Sequence, residues 1–301
     1  MFARKHFRLR LSAVGGLWSH TLVLGERTLV MGVLNITPDS FSDGGRYLDA
    51  DAAFARALEM ERAGADILDI GGESTRPGAE PVSASEEMHR IFPVLERLHG
   101  RLRIPISVDT SKAEVAEAAA YQGAAILNDV TALRADPRIA EVARKSKLPL
   151  ILMHMRGEPR TMQKMPFARD VMRDVAAGLR AAVARARRAG VAKSQIVLDP
   201  GIGFGKSAAQ NFELLKKLPE LARLGFPLLV GTSRKRFIGT ALGGAPEGER
   251  AWGTAATVTA SILGGAHIVR VHDVAEMVQV ARIADAIANP RLVARQSAKA
   301  K

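Results

Sequence analysis

Cysteine is absent from the 301-residue sequence, which excludes disulfides, thiolate nucleophiles and cysteine-ligated metal clusters. Aromatic residues are scarce, at 5%, so the chain offers few of the stacking platforms that single-stranded nucleic acid requires. No apolar run approaches the roughly 18 residues of a membrane span. Acids are missing from both ends: Arg4, Lys5, Arg8, Arg10, Arg291, Arg295, Lys299 and Lys301 supply eight of the formal +12 charges. The interior is therefore nearly balanced, and the basic ends read as solubilising tails rather than a nucleic-acid or membrane footprint. The first apolar stretch is broken by Ser12, Gly15, Gly16 and His20, which argues against a secretion signal and for a cytoplasmic protein.

What is present is a rhythm. Residues 9–24 read as two short strands around Gly15-Gly16. Eight short apolar runs follow, at residues 29–36, 66–70, 104–108, 125–130, 148–153, 195–198, 227–230 and 267–271. Continuous apolar character marks strands buried on both faces. The segments between them are helical in chemistry. Residues 52–63 stop before Gly64, Ser111 and Glu114 have capping-box spacing, and Val171, Val175, Leu179 and Val183 form an apolar stripe. The last helix spans residues 274–288. Eight β/α units in one chain predict an α/β protein with a (β/α)8 TIM barrel and an N-terminal β-hairpin, a doubly wound open sheet being the competitor. One domain over residues 1–290 and a disordered basic tail over 291–301 are expected.

Nearly every predicted strand ends in a polar residue: Asn35, Asp69 (with Glu73 beyond), Asp109, Asn128 and Asp129, His154, Asp199, Ser233 and Lys235, and Arg270 and His272. One such residue caps a helix or makes a turn. A full set at one end of a barrel predicts a shared active site. Residues 37–45 and 71–81 add long polar loops there. Asp109, Asn128 and Asp199 suit a flat heterocycle with a guanidine-like edge. Lys235, Arg270 and His272 follow the last two strands, where this fold often holds phosphate.

Two tempting motifs fail. Residues 201–207 imitate a phosphate loop, but Pro200 stands where its first glycine is needed. No HExxH pair exists, so a protein-caged zinc is not expected. A Mg2+ ion shared between Asn35 and substrate phosphates is compatible with the sequence. His154 fits either a structural or a site role.

Residues Val33-Leu34-Asn35-Ile36-Thr37-Pro38-Asp39-Ser40-Phe41-Ser42-Asp43-Gly44-Gly45 resemble the first motif of the dihydropteroate synthases, and Asp69-Ile70-Gly71-Gly72-Glu73-Ser74-Thr75-Arg76-Pro77-Gly78 resemble the second. Ser107-Val108-Asp109-Thr110, Asn128-Asp129-Val130, Met153-His154-Met155, Asp199-Pro200-Gly201, Ser233-Arg234-Lys235 and Arg270-Val271-His272 continue the likeness in order, over residues 29–288. Ile202 departs from it, where the family commonly has Phe. The resemblance implies a transferase of folate biosynthesis that condenses 6-hydroxymethyl-7,8-dihydropterin pyrophosphate with p-aminobenzoate to give 7,8-dihydropteroate and pyrophosphate.

The same resemblance implies that Thr75, Asp109, Asn128, Asp199 and Lys235 bind the pterin. Asn35, Thr75, Arg270 and His272 would bind pyrophosphate, with Mg2+ as cofactor at Asn35. Phe41, Asp43, Arg76, Pro77, Ser233 and Lys235 would form the p-aminobenzoate pocket, which is also the sulfonamide site. Asp109, Lys235, Arg270 and His272 would be the catalytic set. A homodimer through late helices is implied as well, and residues 255–263 are unusually apolar. No nucleic-acid or membrane partner is expected. A corrinoid methyltransferase on the same barrel would have no diphosphate to hold, and a non-catalytic paralogue should have lost a loop motif or phosphate ligand; none is missing here.

Overall fold

The computed structural model describes residues 4–12, 19–37, 50–75, 78–158, 161–162 and 167–292. An antiparallel hairpin comes first, β1 (Phe7–Ser12) with β2 (Ser19–Leu24). Eight parallel strands follow: β3 (Leu29–Asn35), β4 (Ile67–Gly71), β5 (Ile106–Asp109), β6 (Ile126–Asp129), β7 (Leu150–Met153), β8 (Ile196–Asp199), β9 (Leu229–Val230) and β10 (Ile268–Val271). They pair in the order β8-β7-β6-β5-β4-β3-β10-β9. A Leu198–Leu228 bridge then brings β8 against the start of β9, and the Leu198 N–H donates to Pro227 O at 2.9 Å. The sheet thus curls into the predicted barrel rather than staying open.

Each strand from β3 onward is followed by helix: α1 (Ala50–Arg62) after β3, α2 (Ala84–Leu98), α3 (Ala113–Tyr121), α4 (Ile139–Ser146), α5 (Val171–Arg188), then α6 (Ala208–Lys216) with α7 (Leu218–Ala222), α8 (Arg236–Ala241) with α9 (Ala251–Leu263), and α10 (Val274–Ala288). Ser83, Asp170 and Ser207 cap α2, α5 and α6 through their side chains. Two local readings of the sequence need correction. Ser111 does not cap α3; its N-cap is Lys112, which makes no side-chain cap, and the Ala113 N–H donates instead to Asp136 Oδ2 at 2.9 Å. In α5, Val171, Val175 and Leu179 are buried, but Val183 is only partly so, and Ala182 and Ala186 continue the buried face. A spacing of four drifts about 40° per step around a helix, so the stripe leaves the core.

Alternate residues of the strands serve two cores, following the pleat. Val30, Leu68 and Leu127 face the helices, whereas Met31, Ile67, Ile126, Ile151, Val197 and Ile268 fill the barrel floor with Leu9, Leu11 and Leu24 of the hairpin. A two-stranded hairpin is marginal alone, and this one is secured by plugging that floor. Arg4 ion-pairs with Asp285 of α10 and donates to Thr28 Oγ1 at 2.7 Å, and Lys5 O lies 3.0 Å from His267 Nε2. The hairpin occupies the N-terminal end of the barrel, which leaves the C-terminal end for chemistry.

Candidate active site

Strand register assembles the polar strand ends. Asn35 pairs with Gly71, Gly71 with Asp109, and Asp109 with Asn128, so three predicted site residues sit in one layer around the barrel mouth. Arg270 of β10 crosses toward them. Its Nε donates to Asp69 Oδ2 at 2.6 Å and its Nη2 to Asp109 Oδ2 at 3.0 Å. Asn128 Nδ2 donates to the same Asp69 oxygen at 3.1 Å. Asp69 is wholly buried and knits the cluster together. The guanidinium fork suits two carboxylates in one plane.

The second group gathers around the segment after β8. Asp199 is buried, and its Oδ1 accepts from Gly201 N at 2.7 Å. Gly201 has φ +64°, and a Cβ there would lie 1.8 Å from His154 O, so only glycine fits this turn. Lys235, the residue before α8, donates through Nζ to Ile202 O, and that ammonium sits 4.7 Å from the centre of the Phe204 ring. A Cβ on Gly231 would be 3.8 Å from Lys235 Nζ and 3.5 Å from Arg270 Cβ, which brings the Lys235 ammonium close to the base of the Arg270 side chain. Ser233 and His272 form a third pair: Ser233 Oγ accepts from the His272 N–H at 3.2 Å and lies 3.1 Å from its Nδ1.

Burial dominates the electrostatics. It pushes the Asp109 carboxyl up to about 8, against the pull of Arg270. Asp199 is raised for the same reason, and Lys235 opposes the rise. Lys235 itself is lowered to about 8 by burial, with Asp199 pulling the other way. His272 is pushed down to about 3 by burial and then by Arg270, so the free site holds a neutral imidazole there rather than a cation. Two buried carboxylates and two partly buried cations at one end of the barrel match a ligand with a polar ring and an anionic arm.

Asp109, Asn128, Asp199, Lys235, Ser233, Arg270 and His272 therefore all lie at one end of the barrel, as expected. Asn35 ends β3 in the same layer, and Thr75 is half-buried in the segment after β4. Phe41, Asp43, Arg76 and Pro77 lie outside the described residues. His154 turns its ring toward α5: it is buried, its Nε2 lies 3.4 Å from Asp174, a Cβ on Gly178 would meet its ring at 2.4 Å, and burial lowers it to about 3.

Sequence reasoning named Asp69 as a strand end but left it out of the site; its signal was a charge inside the apolar run of β4. It also missed Lys206, which imitates a phosphate-loop lysine. Lys206 is buried and donates to His154 O, Gly201 O and Phe204 O at 3.3, 2.7 and 3.0 Å, so it staples the segment beside Lys235. Arg234, with φ +58°, pairs with Asp273 and so ties the Ser233–Lys235 turn to the start of α10. A hollow of about 630 Å³ lies elsewhere, at the hairpin end beside His20, Arg27, Asp66 and Leu292. No predicted site residue lines it, and the convergence of buried charge is the better guide to chemistry.

Residues 31–272 match the family of pterin binding enzymes, and the chain belongs to it. Within that class several similar proteins are dihydropteroate synthases. The dihydropteroate synthase of Synechocystis sp. is 52% identical over 263 residues, covering 87% of this chain and 91% of that protein. The Xanthomonas albilineans dihydropteroate synthase solved with 4-aminobenzoic acid superposes with a TM-score of 0.86 at 42% identity, covering 95% of this chain and 99% of that one. The same organism's enzyme in complex with 7,8-dihydropteroate gives 0.81 at 40% identity, covering 94% and 99%. Among the described residues no helix is long and apolar enough to cross a membrane.

Proposed function

We infer that this chain is a dihydropteroate synthase, a transferase that joins 6-hydroxymethyl-7,8-dihydropterin pyrophosphate to p-aminobenzoate. The observation that carries the residue assignment is the Arg270 fork on Asp69 and Asp109, with Lys235 beside it, at the barrel mouth. Asp109, Asn128 and Asp199 accept and donate along the flat edge of the pterin, and Lys235 closes that pocket. Arg270 and His272 face the diphosphate, with Thr75 at its side. Ser233 and Lys235 border the p-aminobenzoate position, together with Phe41, Asp43, Arg76 and Pro77.

In the reaction the bond between the exocyclic carbon and the bridging oxygen breaks, and its electron pair leaves with pyrophosphate. The arylamine lone pair forms the new C–N bond and its nitrogen then loses a proton to solvent. Arg270 neutralises charge growing on the leaving group, and His272 donates a hydrogen bond as a neutral imidazole. Asp109 in its ionised form, which Arg270 favours against the opposing effect of burial, stabilises positive charge spreading into the pterin ring. No covalent enzyme intermediate is required, consistent with a chain that has no cysteine.

Among the described residues no group of three or more His, Asp or Glu side chains could cage a metal ion. Asn35 offers one neutral oxygen in the layer of Asp109. That donor fits Mg2+, which keeps waters and substrate phosphates and takes few protein ligands. Bound there, Mg2+ would withdraw charge from the diphosphate.

The assembly we propose is a cytoplasmic homodimer without a nucleic-acid partner. Helix α9 contains no charged residue; it exposes Trp252, Ala256 and Ala260, next to Ile283 and Ile287 of α10. An apolar face of this kind suits a two-fold interface. Sedimentation should show a dimer at micromolar concentration, and a monomer alone would refute it. For the activity, labelled p-aminobenzoate should be converted to dihydropteroate only when the pterin pyrophosphate is present. Failure with both substrates and Mg2+ present would overturn the assignment.

A further inference from the structure

Behind the barrel mouth lies a charge cluster that the reaction does not use. Lys112, at the start of α3, donates through Nζ to Glu73 Oε2 at 2.7 Å and to Glu87 Oε2 at 2.6 Å. The Glu87 side chain on α2 is fully buried, and those of Lys112 and Glu73 are 23% and 17% exposed. A partly buried ammonium between two carboxylates, one of them fully buried, is costly to assemble and strongly directional. The other Glu73 oxygen, Oε1, accepts from Val82 N at 3.0 Å, which clasps the two ends of the segment after β4. Arg90 Nη1 donates to Gly72 O at 2.9 Å and steadies the same stem.

The position of Lys112 gives this clasp its consequence. Lys112 is three residues beyond Asp109, and its N–H donates to Thr110 Oγ1 at 3.2 Å. Glu73 is two residues before Thr75. One side chain therefore ties the strand that carries the ring-binding carboxylate to the segment that carries Thr75. We propose that Lys112 is a positioning residue that fixes Thr75 relative to Asp109, so that one ligand engages both through its pterin ring and its diphosphate. This rests on the pterin and pyrophosphate assignments above. Besides Thr75, which borders both parts of the ligand, the ring is held by Asp109, Asn128, Asp199 and Lys235, and the Lys112 ammonium bonds to none of these four. The clasp therefore acts on the diphosphate's share of the affinity.

Calorimetry with two ligands tests this, using 6-hydroxymethylpterin and its pyrophosphate ester with Mg2+. In Lys112→Met the ester should lose at least tenfold in affinity, and the unphosphorylated pterin should change less than twofold. Lys112→Arg, which preserves the charge and its two partners, should recover most of the loss. Glu73→Gln takes the charge from the arm toward Thr75, leaves one acceptor for Lys112 and Val82 to share, and keeps the Glu87 bridge; it should reproduce the selective loss even if Lys112→Met folds poorly. Equal weakening of both ligands, or a lowered melting temperature with unchanged affinities, would overturn the inference. A wild-type chain that binds neither ligand would instead remove the site assignment on which it rests.

Discussion

Arg270 and Asp69 stand on different barrel strands, 201 residues apart, and meet at 2.6 Å in the interior. Asp69 is fully buried, and the Arg270 side chain is 21% exposed. The guanidinium is thereby fixed with its second nitrogen on Asp109, so one buried carboxylate aims a cation at another. Asp69→Ala should leave Arg270 underpaired and cost roughly 3–5 kcal/mol of stability. Urea denaturation measures it; a loss under 1 kcal/mol would mean that Arg270 finds other partners.

Asp199 is buried at the end of β8 with one oxygen committed to Gly201 N. Its second oxygen is available to a guanidine-like edge. Asp199→Asn would present a donor to a donor and lose a charge-assisted bond, worth roughly 1.5–3 kcal/mol. That corresponds to roughly a 10- to 150-fold rise in the pterin Kd by calorimetry. Unchanged binding would make Asp199 a purely structural residue.

The pH profile should be bell-shaped. Asp109 works ionised, and burial raises it to about 8, so activity grows as pH rises through that value. Lys235 works protonated, and burial lowers it to about 8, so activity falls as pH rises beyond it. The free-enzyme profile of kcat/KM should therefore be narrow and centred near 8, with the acid limb removed in Asp109→Asn. A flat profile from pH 6 to 10 would contradict these roles.

The hairpin end should be separable from the chemistry. Leu9 and Leu11 are buried in the barrel floor. Leu11→Ala should cost roughly 2–5 kcal/mol of stability, read by denaturant titration, while kcat of the folded enzyme stays within twofold. A collapse of kcat without a stability change would place the hairpin in the catalytic machinery.

The barrel was legible because its strands are buried on both faces and read as apolar runs whose polar ends recur at each unit. Asp109, Asn128, Asp199, Lys235 and Arg270 were legible for the same reason. The partner of Asp69 was not, because it is 201 residues away and only the pairing of β10 with β3, and of β3 with β4, brings the two together. The Ser111 cap failed because the N-cap of α3 falls one residue later, at Lys112, and Asp136 from a neighbouring unit takes the first helical N–H, that of Ala113. Lys206 looked like part of a phosphate loop, yet three carbonyls absorb its ammonium. The Glu73–Lys112–Glu87 bridge has no linear signature, since its members lie in three segments that only the β/α packing brings together.

The central claim is that the buried Asp109–Arg270 end of the barrel makes dihydropteroate. The most direct measurement is the steady-state rate of dihydropteroate and pyrophosphate formation by wild type and Asp109→Asn, with both substrates varied. Wild type should release the two products in equal amounts. Asp109→Asn should lose roughly 10²–10³ in kcat/KM while remaining folded, the scale expected when a group that stabilises transition-state charge is removed. A folded Asp109→Asn enzyme that retains the wild-type rate would contradict the account.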